Sequence, residues 1–264
     1  MKKYLLVAKN TWDEILVYRL NFILWRMRVI LQLLTVYFLW ESILPQGSSL
    51  FGYNQRLMLT YILGTSFMYS MVLTSRSYAV GADINNGNLS NFLIRPINYF
   101  FYWFAKDLGD KAMNILFSIF ELTVFIILLQ PSLFFQTNSL YMLFTIIASL
   151  LSFIMYFFLN FLLGAIGFWS PEVWAPRFIF SIVISFFAGG MFPLDILPKP
   201  VATFFQFLPF QYLLYFPIKI YLGQLSVLSI CIGLCISALW VMIFYKVLQI
   251  IWKKGLILYT AEGK

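Results

Sequence analysis

The chain has 264 residues, of which 62% are hydrophobic, 20% aromatic and only 11% charged, with a mean hydropathy of +0.86. A water-exposed globule keeps about a quarter of its residues charged, so this composition excludes one and requires a surface that faces lipid. The net charge of +8 comes from basic residues spread through the gaps between apolar runs, a topology signal rather than the single basic patch of a nucleic-acid footprint.

At about 20 apolar residues per crossing, the length predicts an all-α integral membrane protein of roughly six helices with short connections. The sequence has no His and two Cys. The first absence removes the usual general base and the commonest transition-metal ligand. Cys231 and Cys235 stand four apart on one helix face with no further ligands beside them, and they read as packing residues.

In residues 1–20, Leu5, Ala8, Trp12, Ile15 and Leu16 recur at helical spacing, with Lys2, Lys9, Asn10 and Asp13 opposite. This predicts an amphipathic helix lying on the membrane surface. Lys9, Asn10, Asp13 and Glu14 break any signal-peptide core. A first crossing follows over 21–44, with Arg19, Arg26 and Arg28 snorkelling toward head groups at its start. The second covers 57–80 and the third starts near Asp107 and ends before Gln130. An uncharged linker leads to a fourth that ends near Phe168. The fifth, over 178–191, is short, and the sixth runs over 225–252. Fifteen Lys and Arg then fall on one side and three on the other, which puts both termini in the cytoplasm.

Two interruptions of the apolar pattern stand out. In the first, residues 81–96, Leu89, Phe92 and Leu93 form an apolar stripe on an Asn-rich helix that Pro96 stops. Such knobs suit docking into a groove on a cytoplasmic partner; equally, they suit a connector tucked against its own helices. The second, residues 192–223, is too apolar for a free loop, and Pro193, Pro198, Pro200, Pro209 and Pro217 break it. Irregular backbone survives at membrane depth only where protein or water covers it, which predicts short re-entrant outer helices. An interfacial loop anchored by its aromatic residues is the other reading. Glu121 lies within the third crossing, where a carboxylate must face protein or water. It is either a pathway residue, as a proton carrier or substrate contact, or a group hydrogen-bonded to a neighbouring helix.

The residues Asp83, Ile84, Gly87, Leu89, Leu93, Arg95 and Pro96 form an acidic-Ile-x-x-Gly-x-Leu-x-x-x-Leu-x-Arg-Pro pattern after the second crossing. It resembles the coupling region of type-2 ABC exporter permeases. Asp83 stands where that family more usually has Glu, and Asn85, Asn86 and Asn88 leave the segment less charged. Residues 189–198, with Gly190, Pro193 and Pro198, and then Leu208-Pro209, resemble the family's outer segment. The resemblance covers nearly the whole chain as a single permease domain, 1–264.

It implies a permease subunit of an ATP-driven exporter, multi-pass in a bacterial inner or plasma membrane. The coupling segment, Phe92 included, would dock on a nucleotide-binding ATPase subunit, and Gly190, Pro193, Pro198 and Pro209 would cap the outer side. A second permease, identical or homologous, would complete a path for a hydrophobic or amphipathic substrate amid membrane lipid. The sequence has no Gly-x-x-x-x-Gly-Lys-Ser/Thr loop, so ATP and Mg would be bound by the partner, and no cofactor, metal, catalytic residue or nucleic acid is expected of this chain. An ion-gradient-driven secondary transporter using Glu121 and a non-transporting membrane scaffold are the alternatives.

Overall fold

The computed structural model describes residues 2–45, 47 and 49–260. It is an all-α membrane protein. The helices are α1 (Lys2–Val17), α2 (Arg19–Ile43), α3 (Gln55–Val72), α4 (Val80–Asn85), α5 (Leu89–Leu93) and α6 (Tyr99–Leu129). They continue with α7 (Ser139–Ala165), α8 (Trp174–Phe187), α9 (Lys199–Phe207), α10 (Tyr215–Tyr221) and α11 (Val227–Leu258). A two-residue hairpin, β1 (Ser49–Leu50) and β2 (Tyr53–Asn54), joins α2 to α3.

Among the described residues, α2, α6, α7 and α11 are long and apolar enough to cross a membrane, and α3 joins them when counted with the helical segment after its bend. Their outer surfaces are crowded with exposed Leu, Ile, Phe and Met. Apolar patches this extensive are incompatible with water, and they are what helices solvated by lipid present.

Element boundaries depart from the sequence reading at four places. The second crossing stops at Val72, not at residue 80, and the chain then bends by 49° into the Arg76–Asn85 segment. Helix α6 starts eight residues before Asp107, because the Asn98 side chain accepts from the Phe101 N–H and caps a new helix right after Pro96. Helix α8 has 14 residues, about 21 Å at 1.5 Å per residue, short of a hydrocarbon core of about 30 Å. Helix α11 runs on through Lys253 and Lys254 to Leu258.

Two cores hold the bundle. The larger gathers α2, α3, α7 and α10 around Tyr37, Tyr61, Met155 and Leu213. The smaller joins α4, α5, the start of α6 and the ends of α7 and α11 around Val80, Leu89, Phe161 and Trp252. Helix α1 lies along α6, where the Trp12 indole N–H donates to the Gly109 carbonyl at 2.6 Å. Ala8, Thr11 and Ile15 face the bundle, whereas Leu5 and Leu16 point away from it. The amphipathic face is therefore split, half of it spent on α6. Cys231 and Cys235 are free and exposed on the outer face of α11, which corrects their reading as packed core residues.

Candidate functional site

The break after α3 is held by α6. Lys111, 5% exposed, donates through Nζ to the carbonyl of Val72 at 3.1 Å and to that of Thr74 at shorter range. These are the orphan acceptors of a helix end. One turn earlier, the fully buried Asp107 accepts from the Arg76 N–H at 2.5 Å, the Ser77 N–H at 3.2 Å and the Ser75 hydroxyl at 2.6 Å. Those groups open the next helical turn. Arg76 itself pairs with Asp110 at 2.7 Å and with Glu14 of α1 at 3.6 Å.

Beyond this clamp lies the 81–96 stretch. Asp83 accepts from the Tyr99 hydroxyl at 2.9 Å. Gly87, at φ +74°, ends α4 in the left-handed conformation that a side chain disfavours. Ile84 and Leu89 are buried in the smaller core, and Phe92 turns back on Tyr99 and Tyr102 with ring centroids 5.0 and 4.8 Å apart. Leu89 and Phe92 are thus tied to their own chain, as the connector reading of the stripe has them.

Leu93, 54% exposed, and Ile94, 83% exposed, stand out beside exposed Arg95 and Pro96. Both ends of the chain brace this stretch. Lys3 Nζ donates to the Pro96 carbonyl at 2.6 Å, the Asn98 N–H to the Tyr4 hydroxyl at 3.2 Å, and the Ser90 N–H to the Tyr259 hydroxyl at 3.0 Å.

Glu121 is not solitary. Arg26 of α2 grips its carboxylate through Nε at 2.7 Å and through a second, shorter contact, and also donates to Ser70 of α3 and Ser118 of α6 at 3.1 Å each. Arg26 is 3% exposed, so the sequence reading that sent it snorkelling to the head groups is corrected. Asp107, Asp110, Asn114, Ser118 and Glu121 recur every three or four residues along α6 and form one continuous buried polar stripe. Their spacing is that of one helix face and is itself a sequence signal.

At the opposite end, the stretch after α8 is fastened to the hairpin. Lys219 Nζ donates to the Asp195 carboxylate at 2.5 Å, the Tyr53 hydroxyl at 2.9 Å and Gln224 at 2.5 Å, while Tyr53 donates to Asp195 at 3.1 Å. Burial first, and the Asp195 carboxylate second, push the Tyr53 phenol well above its usual range, so it stays protonated as a donor. Pro193 and Pro209 are buried, Gly190 is half-buried, and Pro198 is exposed at the start of α9. Helix α10 is almost wholly buried in the larger core.

A family model described as ABC-2 family transporter protein matches residues 30–263. The chain belongs to the ABC-2 transporter family. No individually curated protein matches it. The matched region takes in the α3 break, the 81–96 stretch, the polar stripe of α6 and the 192–223 segment, while α1 and the first turns of α2, Arg26 included, precede it. An ABC-2 protein is the membrane component of a transporter rather than a catalyst. Among the described residues no three His, Cys, Asp or Glu side chains gather to hold a metal ion.

Proposed function

We propose that this ABC-2 protein is the permease subunit of an ATP-driven exporter. It crosses the membrane six times through α2, α3, α6, α7, α8 with the residues just after it, and α11. Both termini lie in the cytoplasm, the side to which the sequence assigns fifteen of the eighteen Lys and Arg, or fourteen without the buried Arg26. A separate nucleotide-binding subunit binds ATP and Mg and receives the 81–96 segment. A second permease, identical or homologous, completes the path for a hydrophobic or amphipathic cargo, and the 192–223 segment caps it on the outer side as re-entrant helices.

The observation that carries this reading is the Leu93–Ile94 pair. Two large apolar side chains stand exposed on a stretch that both chain ends hold rigid. A pre-formed apolar ridge of this kind suits insertion into a partner's groove. Closure of the ATPase subunits would press on the ridge, and the Asp107–Lys111 clamp would pass the displacement to α3 and α6.

The Arg26–Glu121 pair favours this reading over a proton-coupled secondary transporter, because the carboxylate is already taken up as the partner of a buried guanidinium that ties α2 to α6. The test is purification of the chain from its native membrane in mild detergent. An ATPase subunit should accompany it, and transport by the reconstituted complex should require ATP. A chain that purifies alone and transports on a proton gradient would overturn the proposal.

A further inference from the structure

A cavity of about 570 Å³ opens between the α1–α2 junction and helices α3, α6 and α7. Its volume falls in the range of about 300–1,000 Å³ that holds drug-sized ligands. Phe22 and Trp25 of α2, Tyr69 of α3 and Tyr156 of α7 line its walls, with Tyr18 and Tyr78 at its edge. Asp110 and Asn114 of the α6 stripe contribute to its polar face.

Asn114 is 2% exposed, and its amide oxygen has no hydrogen-bond partner. Its amide nitrogen is fully engaged, donating to the Asp110 carbonyl at 3.0 Å and to the Asp110 carboxylate at 2.9 Å. The nitrogen therefore fixes the orientation, and the oxygen is left as a buried, unpartnered acceptor on a residue that lines the cavity. A buried acceptor without a donor is costly, and a ligand N–H would satisfy it.

The charged groups lining the cavity sum to minus one, with both carboxylates also paired to Arg76. Glu14 and Asp110 line it against Arg76 alone, and Lys106 reaches Glu14 at 3.3 Å without lining the cavity. An adjoining cavity, which shares Tyr78, Tyr156 and Asn160, adds Glu172 and Arg177, one charge of each sign. Aromatic faces attract ammonium groups.

We propose that this cavity binds a protonated amine carried on an apolar or aromatic body, with Asn114 Oδ1 accepting from the ammonium. Two sources share that chemistry, a soluble organic amine and the ammonium headgroup of an aminophospholipid. The proposal names a cargo class for the exporter reading and rests on it only for the word cargo, since binding is measured without ATP or a partner.

The test uses the full chain in phosphatidylcholine nanodiscs and follows the fluorescence of dansylcadaverine, a primary amine, beside its N-acetyl derivative. The amine should bind about tenfold more tightly than the neutral derivative, the worth of one charge-assisted hydrogen bond. Asn114→Ala should remove that difference. Glu14→Gln, on a more exposed residue that tests the same cavity without risk to folding, should reduce it. Exchange into phosphatidylethanolamine discs separates the sources, because competition there assigns the site to the lipid headgroup and its absence to a soluble amine. Equal binding of both probes, or variants that bind like the parent, would overturn the proposal, whatever ATPase co-purification shows.

Discussion

Asp107 and Lys111 stand one turn apart on α6 and hold opposite sides of one break, the carboxylate taking the first N–H groups after it and the ammonium the last carbonyls before it. The bend between α3 and α4 is therefore built by a neighbour. Lys111→Met leaves two buried carbonyls without their donor and removes a compensating charge from near the buried Asp107 carboxylate, which keeps its three hydrogen bonds. Loss of one member of a buried charged set costs about 3–5 kcal/mol, so the variant should unfold well below the parent in detergent thermal scans. Asp107→Asn, which keeps the shape and part of the hydrogen bonding, should lose less.

The Arg26–Glu121 pair predicts a non-additive result. Glu121→Leu alone strands a guanidinium among α2, α3 and α6 and should cost about 3–5 kcal/mol, whereas Arg26→Met with Glu121→Leu should recover most of that loss. Transport should survive in the double variant, since the pair has a structural role. Abolished ATP-driven transport in a well-folded double variant would return Glu121 to the pathway.

At the ridge, position decides the outcome. Leu93→Asp with Ile94→Asp should fold, insert and fail to co-purify with the ATPase subunit. Leu89→Asp places a charge in the smaller core and should destabilise the chain itself, by more than about 4 kcal/mol. Comparing expression with ATPase capture separates the two effects; intact capture by the Leu93/Ile94 variant would argue against docking there.

Helix α1 approaches α6 so closely that a Cβ on Gly109 would meet the Ala8 carbonyl oxygen at 2.5 Å. Backbone cannot swing aside as a side chain can. Gly109→Val should cost about 1–3 kcal/mol by overpacking and lift α1 away, which would be seen as faster proteolysis after Lys9.

Apolar run length made the long helices legible, because lipid solvation requires it of α2, α6, α7 and α11 whatever their partners. The Asp83–Pro96 pattern and the proline-broken segment were also visible, since Gly and Pro act locally. What depended on a neighbour was not. Residues 73–79 carry no strong breaker, so the α3 break follows from Asp107 and Lys111 thirty residues on. Arg26 read as a surface residue and Leu89 stayed open between knob and core, because no spacing rule reveals Glu121 across a helix interface or the pocket of Phe161 and Trp252. The α6 stripe is written in the three- and four-residue spacing of its members, which look like separate charges until they are set on one helix.

The contact between Tyr259 and Ser90 joins residues 169 positions apart, and this has a bearing on biosynthesis. The ridge at Leu93–Ile94 emerges from the ribosome early, yet one of its braces arrives only with the end of α11. A chain interrupted before Tyr259 would insert most of its helices and present a ridge braced only from the N-terminal side. In the proposed assembly, the ATPase would then meet a finished surface only on chains whose synthesis had run to the last helix, so recruitment of the motor would double as a check on completion of the channel-forming chain.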